Sequence, residues 1–189
     1  MKPSQPAAAK AVTRLDRFVL RPLGVDDFAI VEPVLARVPA EVFSVPRLEE
    51  GFRSFVGRIS RVPWTLPCIC FAEGNPAAVF FLIVPEYRHL NAYLVALMGI
   101  PGDALPALGL YARHAFWSYP LHRLYSHVPA LPAAAAYVDA FTTAGFTNEG
   151  RLVDHVMTDQ GPADAVVVGL LRDEFSKWCE MREPRLSLQ

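Results

Sequence analysis

The sequence lacks the features that mark several large classes of protein. Its 189 residues include only three cysteines, without the paired spacing of a disulfide framework. The longest apolar run, Ala77–Val84, is far shorter than the ~20 residues of a membrane-spanning helix. The net charge of −1 provides no basic field to attract nucleic acid or an anionic membrane. We therefore expect neither nucleic acid nor membrane as a partner.

The few cysteines and histidines also bear on location and on metals. The first 16 residues have no apolar core of the signal-peptide type and predict a flexible tail. Free cysteines suit a reducing compartment, so a cytoplasmic location is expected. Cys68 and Cys70 share one face of a predicted strand, where a buried core pair is favoured over ligands of a soft metal. The histidines show no metal-ligand spacing, and no metal is predicted.

What the chain does contain is a globular composition. It is 52% hydrophobic and 20% charged, which excludes intrinsic disorder. A domain of this length buries enough surface to fold without disulfides or metals. We predict one domain over 17–175, followed by a charged C-terminal tail over 176–189.

The positions of apolar residues, proline and glycine predict an alternation of strands and helices. A short helix begins near Asp26 and is limited by Pro33. Strands are predicted at 17–23, 68–72, 77–84, 92–98, 123–128, 151–158 and 165–172, and further helices at 47–60, 103–119 and 132–144. This order indicates an α/β fold with a mixed sheet flanked by helices. No G-x-G-x-x-G follows the first strand, which excludes a Rossmann fold.

Three segments resemble one known family. They are FVLRPL with two aspartates after it (18–27), YARHAFWSYPLHRLYSHV (111–128), and AGF followed by EG (144–150). In this order they resemble the GNAT superfamily of CoA-dependent N-acetyltransferases, and most of all its ribosomal-protein N-terminal acetyltransferase branch. The resemblance implies a mostly antiparallel central sheet and an acyltransferase activity. The co-substrate would be acetyl-CoA or another acyl-CoA, and the acceptor a small-molecule or peptide amine.

The resemblance also assigns a cofactor loop after the strand at 92–98. In the family, a Q/R-x-x-G-x-G/A loop and the following helix N-terminus bind the CoA pyrophosphate, because aligned N–H groups stabilise an anion. Here Gly99 replaces the Gln or Arg, and Pro101 removes one N–H. Asp103 must cap the helix to avoid repelling a pyrophosphate. The residues expected at the cofactor are Leu97, Met98, Gly99, Ile100, Gly102, Asp103 and Ala104. A helix-capping turn without a ligand is an equal alternative.

Three further residues are candidates for proton transfer. The family often uses a Glu as general base, and Glu86 lies in the corresponding region with His89 close by. The alternative there is a solvated loop. A family Tyr that protonates the departing thiolate corresponds to Phe141, so Tyr137, one turn earlier, is either its substitute or a packing residue. A family Asn that holds the CoA arm corresponds to Ala134.

Two other histidines belong to the predicted strand at 123–128. His122 and His127 are five residues apart, so their side chains point to opposite faces and at most one can face a cleft.

The main prediction is an N-acyltransferase whose amine enters between the helix at 47–60 and the loop at 86–91. A backbone N–H of the strand at 92–98 would stabilise the oxyanion. The alternative is an inactive GNAT-fold protein that serves as a binding or structural partner. A mean hydropathy of +0.24 leaves room for an apolar homodimer interface. A third interpretation is a wide acyl pocket lined by Phe52, Phe55, Trp64 and Phe80, with ordinary core packing favoured instead.

Overall fold

A computed structural model describes residues 13–39, 49–62, 64–86, 89–99, 104–158 and 161–182. Within them, one sheet of eight strands has the order β1-β2-β3-β4-β5-β6-β8-β7. The strands are β1 (Thr13–Leu15), β2 (Phe18–Pro22), β3 (Cys68–Ala72), β4 (Asn75–Glu86), β5 (Asn91–Met98), β6 (Arg123–Pro129), β7 (Thr147–Thr158) and β8 (Gly161–Leu171). All neighbouring strands are antiparallel except β5 and β6, which confirms a mixed, mostly antiparallel sheet.

Helices cover both faces of this sheet. They are α1 (Phe28–Leu35), α2 (Glu49–Ile59), α3 (Ala104–Ser118), α4 (Ala135–Thr143) and α5 (Arg172–Arg182), with a 3₁₀ turn at Pro132–Ala134 before α4. Phe80 of β4 stacks on Tyr111 of α3, with ring centroids 4.6 Å apart. The next residue, Phe81, contacts Phe55 of α2 at 5.2 Å. Since successive strand residues point to opposite faces, α3 and α2 lie on opposite sides of the sheet.

This arrangement contradicts the wide acyl pocket. Phe80 faces α3 and Phe55 faces α2, so the sheet separates them. Phe52 packs on Phe28, and Trp64 packs on Tyr119. The four aromatic residues therefore belong to ordinary core, as the alternative interpretation has it.

Several local predictions are confirmed. The turn after Cys68 and Cys70, which are both fully buried, places Glu73 and Gly74 at φ 51° and 82°. Two successive positive φ values suit the twist of a two-residue hairpin. Helix α1 is short and contains Pro33.

The end of α4 is a second confirmed feature. Gly145 has φ +93°, and its N–H donates to Thr142 while the N–H of Phe146 donates to Phe141. These two bonds satisfy carbonyls that the last helical turn would otherwise leave open. The rings of Phe141 and Phe146 contact each other at 4.9 Å, which adds the apolar contact typical of this helix ending.

Both predicted tails overlap with ordered elements. Strand β1 lies within 1–16 and pairs with β2. Helix α5 extends past residue 175 and buries Phe175 and Cys179 against the core. Arg172 fastens α5 to the end of α3, because its guanidinium donates to the carbonyls of Phe116, Tyr119 and Leu121 at 2.6–2.7 Å. Strand β8 spans Gly161–Leu171, so the predicted strand 165–172 begins four residues too late and ends one residue too late.

Strand β7 begins at Thr147, four residues before the predicted start, and contains an irregularity. The pairing with β8 shifts between Leu152 and Val156, where Asp154 has φ +48°. The carboxylate of Asp164 on β8 accepts the N–H of Asp154 at 2.9 Å and Nε of Arg151 at 2.5 Å. These bonds hold a β-bulge, a feature that re-aims side chains and often lies near functional sites.

Candidate functional site

The sheet opens between β5 and β6. These parallel strands pair only through Asn91–Tyr93 and Arg123–Tyr125. Beyond these residues β5 continues along β4, and β6 continues along β8. Among the described residues, the facing edges of β5 and β6 have no strand partner past Tyr93 and Tyr125. The two strands therefore diverge and leave a cleft lined by backbone groups that need hydrogen-bond partners.

On the α3 side of the cleft, a buried hydroxyl is left without a partner. Ser126 follows Tyr125, the last residue of β6 that pairs with β5, and is fully buried. No group in the described part of the chain bonds its Oγ. A buried polar atom without a partner is costly, and it points to a ligand or water at this position.

The same side carries Tyr137 of α4. Its ring is 1% exposed, and its hydroxyl donates to the carbonyl of Met98 at 2.8 Å. Met98 is the last residue of β5, so Tyr137 connects α4 to the end of one cleft wall. Tyr137 is therefore packed in the core, as one of its two predicted roles requires, and it also lies beside the cleft.

The predicted cofactor residues lie at the end of β5. Leu97 and Met98 are buried, and the N–H of Gly99 donates to Ala77 at 3.3 Å. Ala104 is the first residue of α3. The predicted residues Ile100, Gly102 and Asp103 lie outside the described residues.

An arginine from another element lies beside Gly99. Cδ of Arg37, just after α1, is 3.5 Å from the point where a Cβ on Gly99 would stand. Arg37 is exposed. Gly99 lacks the basic side chain that the family has at this position. The aliphatic stem of Arg37 lies next to it instead.

The opposite face of the cleft carries a cluster of four rings, which we call the ring cluster: Tyr93, Tyr125, His127 and His155. Tyr93 lies 5.5 Å from Tyr125 and 5.3 Å from His127, between ring centroids. The rings of His127 and His155 are 4.7 Å apart, and Nδ1 of His127 lies 3.0 Å from Nε2 of His155. Tyr93, Tyr125 and His127 are partly buried, whereas His155 is exposed. The cluster lines the start of the opening between β5 and β6.

The electrostatic surroundings hold His127 in its neutral form. Burial lowers its pKa below the usual 6.5, and the neighbouring His155 and Arg123 lower it further. Arg123 is itself paired with Glu149 and lies over the ring of Tyr125. Burial raises the pKa of Tyr93, although a hydrogen bond from the backbone of His127 opposes that shift. At neutral pH the cluster therefore presents an uncharged imidazole that can accept a proton.

Glycine at position 169 makes room for the Arg123–Glu149 pair. Gly169 of β8 pairs with Tyr125 on one side and with Thr147 on the other. A Cβ at this position would collide with the carboxylate of Glu149. Glu149 can therefore lie across β8 and reach Arg123 on β6 only because residue 169 has no side chain.

The other predicted residues are not among the four rings of this cluster. Glu86 ends β4 and pairs with Asn91. His89 is exposed in the connection between β4 and β5. His122 lies before β6, which begins at Arg123, so its predicted place on the strand is wrong. His127 is on β6 and faces the cleft, as the sequence allows for one of the two histidines.

The sequence does not indicate Tyr93, Tyr125 or His155 as site residues. The signal available in the sequence was the spacing of Tyr125 and His127. They lie two residues apart on one strand, so their side chains share a face of the sheet. The place of His155 depends on the β7 bulge, which no local pattern reveals.

A separate depression of about 440 Å³ lies along α2. It is lined by Val25, Arg53, Ser54, Gly57, Arg58 and Arg61. Arg53 is paired with Asp26 and Glu49, so its charge is already balanced.

Two kinds of feature are absent from the described residues. No three His, Cys, Asp or Glu side chains come together as a metal site there. None of the helices there combines the length and apolar content needed to cross a membrane.

Comparisons with known proteins identify the fold. No protein-family model and no curated protein matches the sequence. Solved structures do match. RimJ of Mycobacterium smegmatis, in complex with CoA-disulfide, is 18% identical with a TM-score of 0.70, covering 87% of each chain. Ribosomal-protein-S5-alanine acetyltransferase of Vibrio fischeri is 10% identical with a TM-score of 0.71, covering 87% of this chain and 98% of that one.

A third neighbour acts on a different amine. The spermidine/spermine N-acetyltransferase SpeG of Vibrio cholerae is 16% identical with a TM-score of 0.70, covering 85% of this chain and 97% of that one. The chain therefore has the fold of the GNAT superfamily of N-acetyltransferases. One neighbour is, by its name, an acetyltransferase of a ribosomal protein, in line with the branch that the sequence resembles.

Proposed function

We propose that the protein transfers an acetyl or other acyl group from acyl-CoA to an amine. The observation that carries the proposal is the cleft between β5 and β6, with the buried Ser126 hydroxyl left open beside it. Supporting it, the neighbours of the same fold are N-acetyltransferases by name, and one was solved with CoA-disulfide. Fold alone does not establish an activity, so the residues of the site must carry the argument.

The residues present fit a CoA molecule. The diverging backbone of β5 and the Ser126 hydroxyl offer hydrogen bonds to an amide-containing arm such as pantetheine. The N-terminus of α3 favours an anion such as a pyrophosphate. Arg37 beside Gly99 supplies a cation that the loop itself lacks, and its fork suits phosphate oxygens. When bound, acyl-CoA supplies the activated thioester.

Tyr137 remains the proposed acid for the departing thiolate. Its hydroxyl stands at the end of β5, where it donates to the Met98 carbonyl. Glu86 and His89 remain the base candidates that the sequence provides, near the start of β5. We expect the amine to enter on the α2 side of the sheet, where the ring cluster lies. The acceptor is either a small molecule or a peptide, and both kinds occur among the neighbours' named substrates. A cytoplasmic location also remains a proposal.

Isothermal titration with acetyl-CoA and with free CoA tests the proposal. We expect micromolar binding to the wild-type protein. Arg37→Ala should weaken it about tenfold or more, because a cation near a pyrophosphate is lost. Arg58→Ala on α2 is the matched control, since it removes an exposed arginine that lines the separate depression. The proposal would be overturned if neither acetyl-CoA nor free CoA binds.

A second candidate function is binding without catalysis. Gly99, Ala134 and Phe141 all depart from the family's pattern, and the Tyr137 hydroxyl is engaged by Met98. Edge strand β7 exposes Val153 and Met157, each 76% accessible, which suits a homodimer or a protein partner. Light scattering of the purified protein, together with the CoA titration, separates the two. A stable dimer that binds no CoA would favour this function.

A further inference from the structure

The ring cluster contains a pair of imidazoles whose geometry suits proton transfer. His127 is partly buried at the cleft, and His155 is exposed to solvent. Nδ1 of the first lies at hydrogen-bond distance from Nε2 of the second, 3.0 Å away. One of these nitrogens must carry a hydrogen and the other must lack it.

The β7 bulge gives His155 this position. Asp154, with φ +48°, turns the strand so that the next side chain points at β6. Asp164 holds the turn by accepting the Asp154 N–H and a hydrogen bond from Arg151. A non-glycine residue in the left-handed region costs energy and persists where the surroundings enforce it. The fold therefore tolerates a strained backbone at Asp154, and this conformation brings the two imidazoles into contact.

Two tautomer pairs satisfy this hydrogen bond, and one of them leaves an acceptor nitrogen on His127 open toward the cleft. If Nδ1 of His127 donates to Nε2 of His155, then Nε2 of His127 is bare and can accept a proton from the cleft. His155 then holds its own hydrogen on Nδ1, which can leave to water. A second group that fixes the tautomer of a catalytic imidazole is a common requirement for a general base.

We propose that His127 is the general base of this acyl transfer and that His155 is the positioning residue that passes the proton to solvent. The inference rests on the proposed function. The amine nitrogen forms a bond with the acyl carbon, and the carbon–sulfur bond breaks. The amine proton moves to Nε2 of His127, the Nδ1 proton moves to His155, and His155 releases one proton to water. The thiolate takes up one proton, and the reverse exchange of protons between the two rings and water restores the starting tautomers, so charge and atoms balance.

The groups around His127 keep it neutral before the reaction. Tyr93 faces it from β5, Arg123 and Tyr125 lie on its own strand, and His155 faces it from β7. Its neighbour on β8 is Val167, which carries no charge. Among the described residues no carboxylate is paired with His127, so nothing there raises its pKa.

The first experiment needs no activity. Nitrogen-15 NMR of the histidine rings, followed over pH, reports tautomer and pKa for each imidazole. We expect His127 to be neutral at pH 7, with hydrogen on Nδ1, and to titrate below pH 6.5. His155→Ala should raise the pKa of His127, because the interaction with His155 that lowers this pKa is removed. Hydrogen on Nε2 of His127, or a His127 pKa that is unchanged in His155→Ala, would overturn the relay.

The second experiment measures kcat/KM against pH with acetyl-CoA and two amine probes, a peptide with N-terminal alanine and spermidine. We expect kcat/KM to be constant near neutral pH and to fall when the pH drops below the pKa of His127. His127→Gln should lower kcat/KM a hundredfold or more and remove that acid limb. His155→Ala should lower the rate about tenfold and move the limb to higher pH. His122→Gln, an exposed histidine before β6, is the matched control.

The outcomes separate this inference from the proposed function. If acetyl-CoA does not bind in the titration, the proposed function fails, while the NMR still tests the coupled pair. If acyl transfer proceeds normally in His127→Gln but is lost in Glu86→Gln or His89→Gln, the base is one of those residues and the inference is overturned. Melting temperatures of all variants show whether a loss of rate comes from misfolding.

Discussion

His114 is a buried imidazole that the cleft does not use. It lies on α3 with 3% exposure, and its Nδ1 is 3.0 Å from the hydroxyl of Thr13. Burial, together with a smaller effect of the nearby Arg113, lowers its pKa to about 4. Between pH 6.5 and 4 the unfolded chain therefore binds more protons than the folded one, so stability falls as the pH falls through this range.

We expect the free energy of unfolding to drop by about 2 kcal/mol from this residue between pH 7.5 and 5. Urea unfolding at both pH values measures it. His114→Asn should flatten the pH dependence by that amount, whereas His122→Asn, at an exposed site, should not. Equal slopes in the wild-type protein and His114→Asn would contradict the assignment.

A hydroxyl deletion at Tyr137 distinguishes its two roles. In Tyr137→Phe the Met98 carbonyl loses its donor, and we expect a loss of stability of about 1–2 kcal/mol. If Tyr137 also protonates the leaving thiolate, kcat should fall tenfold or more while acetyl-CoA binding is kept. Denaturation and steady-state kinetics on the same preparation give both values, and an unchanged kcat assigns the residue to packing alone.

At the scale of single elements, the end of α4 depends on a glycine for two reasons. Gly145 needs a positive φ, and a Cβ there would stand 2.9 Å from the ring of Trp178 on α5. We expect Gly145→Ala to cost about 2–4 kcal/mol from backbone strain and overpacking. Gly74→Ala isolates the backbone strain. Gly74 also has a positive φ, but a Cβ added there would meet no atom within 4 Å. Its expected cost is about 1 kcal/mol, and equal costs in urea unfolding would contradict the contact with Trp178.

Most elements could be predicted because their signals are local. Proline, glycine and apolar periodicity indicate the hairpin at Glu73–Gly74 and the helix that Gly145 ends. Helix α5 escapes prediction because charged residues surround its two buried positions, Phe175 and Cys179. The pair His127–His155 could not be predicted for a different reason. Its residues lie on β6 and β7, which flank β8 in the sheet, and a bulge in β7 brings the two rings together. Likewise Arg37 meets Gly99 only after α1 folds onto the sheet.

For the molecule as a whole, a ligand in the cleft should raise the melting temperature. Acetyl-CoA at one hundred times its Kd adds about 2.7 kcal/mol to the stability of the folded state. For a chain of this size we expect a rise of about 5–10 °C by differential scanning fluorimetry. Pantetheine, which lacks the pyrophosphate, is the control and should give a much smaller rise. No shift with acetyl-CoA would speak against a CoA site in this fold.

The short seam between β5 and β6 has a consequence for how the molecule opens. Strands β1–β5 form one antiparallel block and β6–β8 form another, and the strand pairing that joins them covers only residues 91–93 and 123–125 among the described residues, with Leu90 adding backbone hydrogen bonds from His122 and Arg123. Parts of a protein that share few hydrogen bonds can exchange with solvent as separate cooperative units. Amide hydrogens of β5 and β6 near this seam should therefore exchange faster than those within either block. A molecule bound across the cleft would join the two blocks and slow that exchange, so opening of the sheet and occupancy of the cleft are thermodynamically coupled.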